Sequence, residues 1–228
     1  MRLTSLTRIL PLLMVFGTPA YAANITVLEL YTSQGCSSCP AAERYLNELA
    51  SRKNLITLAC HIDYWDSLGW KDPYSLRVCS DRQRTFAAVS GDKRIYTPAM
   101  VINGERSIVG HDQPDIEILI KKARDVTRVP ITYMASTQTL SYQLPSLMKG
   151  DVVSLIAVGK TTNTEVPNGE NRGKSLVTAR PVLSVDTLQT LSGLSHVKLN
   201  LPENIAGLVI LVNEGAGGPI KAAGQINL

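Results

Sequence analysis

Four cysteines carry most of the chemistry open to this chain: Cys36, Cys39, Cys60 and Cys79. Cys36 and Cys39 stand two residues apart in the stretch Thr32 to Pro40 (TSQGCSSCP). The apolar, branched run Ile25 to Tyr31 before them reads as a strand, and Ala41 to Arg52 after them reads as an amphipathic helix. A CxxC at such a junction leaves its first sulfur exposed at a helix N-terminus, where unpaired N–H groups and the helix dipole favour a thiolate. The expected chemistry is thiol–disulfide exchange. Cys36 attacks a partner disulfide, and Cys39, one turn further in, resolves the mixed disulfide. Ser37 and Ser38 are small and can donate to the thiolate and contact substrate. Glu29 is a lone charge in the apolar strand; buried behind Cys39, it would accept that thiol's proton.

Two other meanings of the motif stay open. One is an inert structural disulfide. The other is a metal site that adds Cys60 and either His61 or Cys79. Cys60 and His61 are neighbours on a strand, so their side chains point to opposite faces and cannot both hold one ion. No metal ligand set is assigned. Because Cys36 and Cys39 are local to each other, Cys60 and Cys79 are left to pair, as a structural bridge stabilising by roughly 3 kcal/mol. The alternative for that second pair is a relay passing electrons to the first.

Arg2 and Arg8, the apolar run Ile9 to Gly17, and Ala20 to Ala22 together read as a signal peptide over residues 1–22. The apolar run is well short of the roughly 20 residues that an uncleaved anchor would need to span a bilayer. The chain is therefore expected to be exported, to a bacterial periplasm or beyond, where disulfides persist. No later run is apolar enough to cross a membrane, so no membrane association is expected after cleavage. Twenty-three Lys and Arg against 19 Asp and Glu give a net charge of +4, two of these arginines lying in the signal. Such a balance is too weak to suggest nucleic acid or an anionic membrane surface as partner.

The elements that must position the cysteines can be traced in order. Ala42, Tyr45, Leu46 and Leu49 keep the spacing of one buried helix face. Leu55 to Asp63 is apolar on both parities, as a strand covered on both sides would be. The aromatic loop Tyr64 to Lys71 holds both tryptophans, Trp65 and Trp70, which either line a groove beside Cys36 or cap the core. Asp72 and Pro73 read as the opening of a helix over Tyr74 to Val89. Tyr96-Thr97-Pro98 leads into the strand Ala99 to Ile102. Asn103-Gly104 signals a tight hairpin to Arg106–Val109, and Asp112 and Pro114 open another helix. Past Arg128-Val129-Pro130 the pattern changes to short apolar runs at 131–137, 140–144, 152–160, 176–185, 196–201, 208–213 and 220–226. Turns such as Pro167-Asn168-Gly169 separate them, which suggests a sandwich of strands. A short helical turn is expected in 186–194.

The first half resembles the thioredoxin superfamily: CxxC after the first strand, the order β-α-β-α-β-β-α, and Thr97-Pro98 ahead of a hairpin strand. The resemblance implies a cis Pro98 lying against the CxxC, with Tyr96 and Thr97 offering backbone to substrate. It also implies an α/β fold, with a thioredoxin-like domain over residues 23–128 and a mostly-β, sandwich-like domain over residues 129–228. A closer match rests on Glu29 to Pro40, His61 to Asp66, Leu68 to Asp72, Tyr96 to Gly104 and Glu170 to Gly173. These stretches look like a family of secreted, thioredoxin-like bacterial proteins, domain-of-unknown-function family 1223. The run Thr97 to Asp112 is similar to the glutathione-binding half of glutaredoxins. It implies Gly110 and Asp112 as glutathione contacts, although only one glycine of the usual pair is present. The expected partners are protein thiols and disulfides or glutathione, with a redox partner protein, and no cofactor beyond the redox-active disulfide. The alternatives are a non-catalytic binding module whose β domain recruits a partner, and a glutathione-linked activity.

Overall fold

The structure, a computed structural model, describes residues 25–188 and 192–228. The expected signal peptide, residues 1–22, lies outside the described residues. The first half runs β1 (Thr26–Thr32), α1 (Cys39–Leu49), β2 (Leu55–His61), α2 (Arg77–Ser90), β3 (Ala99–Ile102), β4 (Arg106–Val109) and α3 (Gln113–Lys122). These strands form a four-stranded mixed sheet in the order β2-β1-β3-β4. β1 and β2 pair in parallel, while β3 runs antiparallel to both β1 and β4. Asn103 and Gly104 both take positive φ, 49° and 64°, which is what a two-residue turn between β3 and β4 requires. The Asn103 side chain is buried there, accepting from Val27 N at 2.7 Å and donating to the Arg124 carbonyl.

Among the described residues, the second half is built of strands alone. A five-stranded sheet, ordered β11-β8-β13-β14-β5, contains β5 (Thr127–Arg128), β8 (Val152–Gly159), β11 (Val182–Leu188), β13 (Ile205–Asn213) and β14 (Ile220–Asn227). A three-stranded sheet contains β6 (Ile131–Met134), β7 (Thr139–Leu144) and β12 (Gly193–Lys198). Between these two sheets lie Leu140, Tyr142, Leu155, Leu208, Ile210 and Val212. The remaining pair, β9 (Thr162–Val166) and β10 (Lys174–Thr178), forms a two-stranded ribbon of its own.

The expected fold class is overturned. Strands take 42% of the structure against 17% for three helices, so the chain is mostly β with several sheets, and no α/β thioredoxin-like N-terminal domain is present. The physical reason lies in how the four-stranded sheet is covered. Leu28, Leu30, Met100 and Ile102 point to one face, which α1 and α3 close through Ala42, Leu46, Leu49 and Ile116. Val27, Tyr31 and Val101 point to the other face. There, apart from α2, the cover is the five-stranded sheet: Ile156, Val158, Val182, Val209, Leu211, Ile220 and Ala223 share one core with the first sheet. Sheet-on-sheet packing therefore stands where a second helical layer was expected.

Local departures have local causes. The second helix begins at Arg77, not near Tyr74: one Asp72 carboxylate oxygen accepts from Tyr74 N, but the other turns inward to Gln34 N and His61, and Leu76 stands at the N-cap. The run 176–185 is two strands, broken at Ala179-Arg180-Pro181, where Arg180 takes φ 49°. Asp186 to Leu188 belong to a strand, so no helical turn starts there, and 189–191 lie outside the described residues. No helix among the described residues is long and apolar enough to cross a membrane.

Candidate functional site: the CxxC turn and what covers it

Cys36 and Cys39 are bonded to each other at the start of α1. Pro40 occupies the first turn, where a missing N–H costs nothing. Ser38 is the N-cap residue but makes no side-chain cap; its hydroxyl lies 3.4 Å from Cys36 Sγ. Ser37 and Ser38 are exposed, whereas Cys36 is only 2% exposed and Cys39 1%. This corrects the expectation of an exposed attacking sulfur.

What covers Cys36 is the loop joining β9 to β10. Asn171, itself fully buried, donates its side-chain amide to the carbonyls of both Gln34 and Cys36, each at 2.9 Å. Glu170 accepts a hydrogen bond from Ser37 N at 2.9 Å, and this bonding holds its carboxyl below the usual range. Lys174 Nζ donates to the Asn171 side-chain oxygen. Gln34 ties the assembly together: its amide nitrogen reaches Thr164 and Thr178 of the ribbon, and its oxygen accepts from Trp70 Nε1 at 3.2 Å. Trp70 also lies against Gly169, and Trp65 against Gly35. Both tryptophans are thus brought to the CxxC turn, Trp70 as part of its clamp and Trp65 packed on the core.

Beneath the turn is a buried ionisable chain that sequence reasoning missed. His61 is fully buried and its Nδ1 lies 2.7 Å from Asp72 Oδ2. Asp72 also accepts from Gln34 N and Tyr74 N. On the other side, His61 Nε2 lies 3.3 Å from Glu43 Oε1, which accepts from Thr32 Oγ1. Burial raises the Glu43 carboxyl above its usual range despite the nearby imidazole. Burial opposes charge on His61 too, but the two carboxylates outweigh it and raise its pKa. Asp72 is shifted downward: burial is outweighed by His61 and the hydrogen bonds it accepts. Glu43 Oε2 and His61 Nε2 have no hydrogen-bond partner. Glu43 and Cys39 line one narrow cavity with Ser33, Gln34, Pro40 and Thr178. They are four residues apart on α1, the spacing of side-chain neighbours on a helix, and that was the available signal.

Glu29 is not brought to Cys39. Along β1 it shares parity with Val27 and Tyr31, on the face away from α1, and its carboxylate pairs with Arg82 Nε at 2.5 Å. Arg82 is held charged by Glu29 against the cost of burial. The Thr97–Pro98 peptide is cis. Pro98 lies beside α1: a Cβ on Gly110 would come within 2.7 Å of Leu30 Cδ1 and 3.1 Å of both Ala42 Cβ and Pro98 Cβ. Gly110 therefore serves close packing. Asp112 caps α3 by accepting from Asp115 N, which commits its carboxylate locally. The Thr97 hydroxyl is buried without a partner, while Tyr96 bonds Ser107 through its hydroxyl and Gln83 through its carbonyl. Cys60 and Cys79 are bonded in the core shared with the five-stranded sheet, which removes Cys60 as a metal ligand in this state.

The chain can be set beside known proteins on this footing. A family model described as "Protein of unknown function (DUF1223)" matches residues 27–213. The crystal structure of protein AGR_C_4864 from Agrobacterium tumefaciens is similar in fold, with a TM-score of 0.70 at 23% identity. The similarity covers 89% of this chain and 93% of that one. No curated protein matches. The family match spans most of the chain, from β1 through the CxxC turn and its cover to β13, and the chain belongs to the DUF1223 family.

Proposed function

We propose that this protein is an exported thiol–disulfide oxidoreductase, of the periplasm or secreted, acting through Cys36 and Cys39 on protein or small-thiol disulfides, glutathione among them. The observation that carries the reading is a disulfide joining Cys39, the first residue of an 11-residue helix, to Cys36 in the turn just before it. Its sulfurs are where helix N–H groups stabilise a thiolate. The two disulfides are compatible with export. The CxxC at a strand-to-helix junction and the Thr97-Pro98 turn support kinship of the site with the thioredoxin superfamily, a kinship claimed for the site and not for the fold.

In the reduced state, the Cys36 thiolate attacks a substrate disulfide. A Cys36–substrate S–S bond forms, the substrate S–S bond breaks, and one substrate sulfur leaves as thiolate. Cys39 then gives its proton to Glu43 and attacks Cys36 Sγ, expelling the second substrate thiolate and closing the Cys36–Cys39 bond. The protein dithiol loses two electrons, the substrate disulfide gains them, and the released thiolates take up the protons. The same steps in reverse oxidise a dithiol substrate. Glu43, and not Glu29, has the position for the proton step.

The burial of Cys36 favours a second reading, in which the bond only staples the turn and the fold serves as a non-catalytic module for a partner. Thiolate absorbance of the reduced protein, with and without Cys36→Ser, separates the two. A Cys36 pKa clearly below the free value of about 8.5, together with turnover of insulin or dithiothreitol, supports the oxidoreductase. An ordinary pKa with no turnover supports the module.

A further inference from the structure

We propose that the β9–β10 hairpin selects the substrate. Glu170 and Asn171 occupy the backbone groups that an extended polypeptide would need, so the closed site exchanges with small thiols, and a protein disulfide reaches Cys36 only when the hairpin lifts. The inference rests on the oxidoreductase reading above. Three groups around the reactive sulfur are already taken: Ser37 N–H by Glu170, and the carbonyls of Gln34 and Cys36 by Asn171. A bound polypeptide would gain register from just such main-chain bonds. Cys36 is 2% exposed beneath this cover while Ser37 and Ser38 stay open to solvent, so the approach that remains is a narrow one.

The hairpin is built as a separable part. It is a sheet of its own, with no ladder to the other three. It is tied to the site by side-chain bonds, Gln34 to Thr164 and Thr178, Tyr74 to Thr162, and the Glu170 and Asn171 contacts, and by the buried Leu176, which lines the cavity beside Cys39 and Pro40. The polar bonds exchange for water at small net cost, so the main cost of lifting the hairpin is the exposure of Leu176 and Val166. In the dithiol state a Cys36 thiolate places negative charge one residue from the Ser37 N–H that holds the Glu170 carboxylate. That like-charge conflict weakens the cover in the state that has to meet substrate. The same loop carries Arg172 and leads to Lys174, which is bonded to Asn171, and the buried Glu43, His61 and Asp72 lie beneath the turn.

The test compares two substrates on the full chain: the rate of reduction by dithiothreitol, and the rate of exchange between the reduced protein and insulin disulfides. Wild type is set against Glu170→Gln, Asn171→Ala and the double variant. Removing these bonds from the closed state should raise the insulin rate about tenfold in the double variant and leave the dithiothreitol rate within about twofold. Should Asn171→Ala fail to fold, as read by its urea midpoint, Glu170→Gln alters an exposed side chain and should still raise the insulin rate severalfold. Insulin and dithiothreitol rates that rise together, or do not change, overturn the selector and leave the oxidoreductase reading standing. No exchange with either substrate in any variant overturns both.

Discussion

Replacing both Cys60 and Cys79 by alanine removes the bridge between the end of β2 and α2. The two cysteines are 19 residues apart. A cross-link closing a loop of that size removes about 11 cal/mol/K of entropy from the unfolded chain, or about 3 kcal/mol at 25 °C. The sulfurs are 2% and 0% exposed, so truncation also leaves a small void costing about 1 kcal/mol. The expected loss is therefore about 3–4 kcal/mol. With a urea dependence of about 1–3 kcal/mol per molar, the midpoint should fall by about 1–4 M. Urea titration followed by tryptophan fluorescence measures it. A loss under about 1 kcal/mol would refute the reasoning, because the unfolded loop would then already be restrained without the bond. The same variant addresses the relay alternative. Thiol exchange at Cys36 should persist at 25 °C, since Cys60 and Cys79 sit in the core on the face away from α1.

Two further perturbations test the buried charges. Arg82→Met leaves the buried Glu29 carboxylate unpaired and should cost about 3–5 kcal/mol. A Glu29→Gln, Arg82→Met double variant should recover part of this, and a single-variant loss under about 1 kcal/mol would contradict a buried pair. Because burial raises the Glu43 carboxyl in the folded state, wild type should give up stability as pH rises from about 4.3, its unfolded value, through that raised value. Glu43→Gln lacks this loss, so its urea midpoint should gain on wild type over that range. Parallel pH profiles would count against a buried Glu43 whose carboxyl is raised in the folded state.

Much of the local structure was legible because it depends on neighbours in sequence. The apolar strand of Ile25 to Tyr31, the face made by Ala42, Tyr45, Leu46 and Leu49, and the Asn103-Gly104 turn all lie where their residue types put them. The fold class was not legible. It turns on which apolar faces meet, and nothing in the period of β1 or β2 tells whether a helix or another sheet covers Val27 and Leu58. β9 was missed because Thr162 to Val166 is polar in four of its five residues, and its place is fixed by Gln34 and Tyr74 from the other half. Asp72 looked like a helix cap, since Asp-Pro is a common helix opening, but it turns inward to His61. Glu43 was written in the sequence four residues after Cys39. Only the closed cavity made that spacing meaningful.

Equilibrating the folded protein in glutathione redox buffers, then trapping thiols and reading each cysteine pair by mass spectrometry, addresses the oxidoreductase most directly. The expected result is a two-electron couple at Cys36–Cys39 within the range of about −270 to −120 mV spanned by disulfide oxidoreductases, with Cys60–Cys79 oxidised throughout. A Cys36–Cys39 bond that stays closed below about −300 mV, as structural disulfides do, would contradict it.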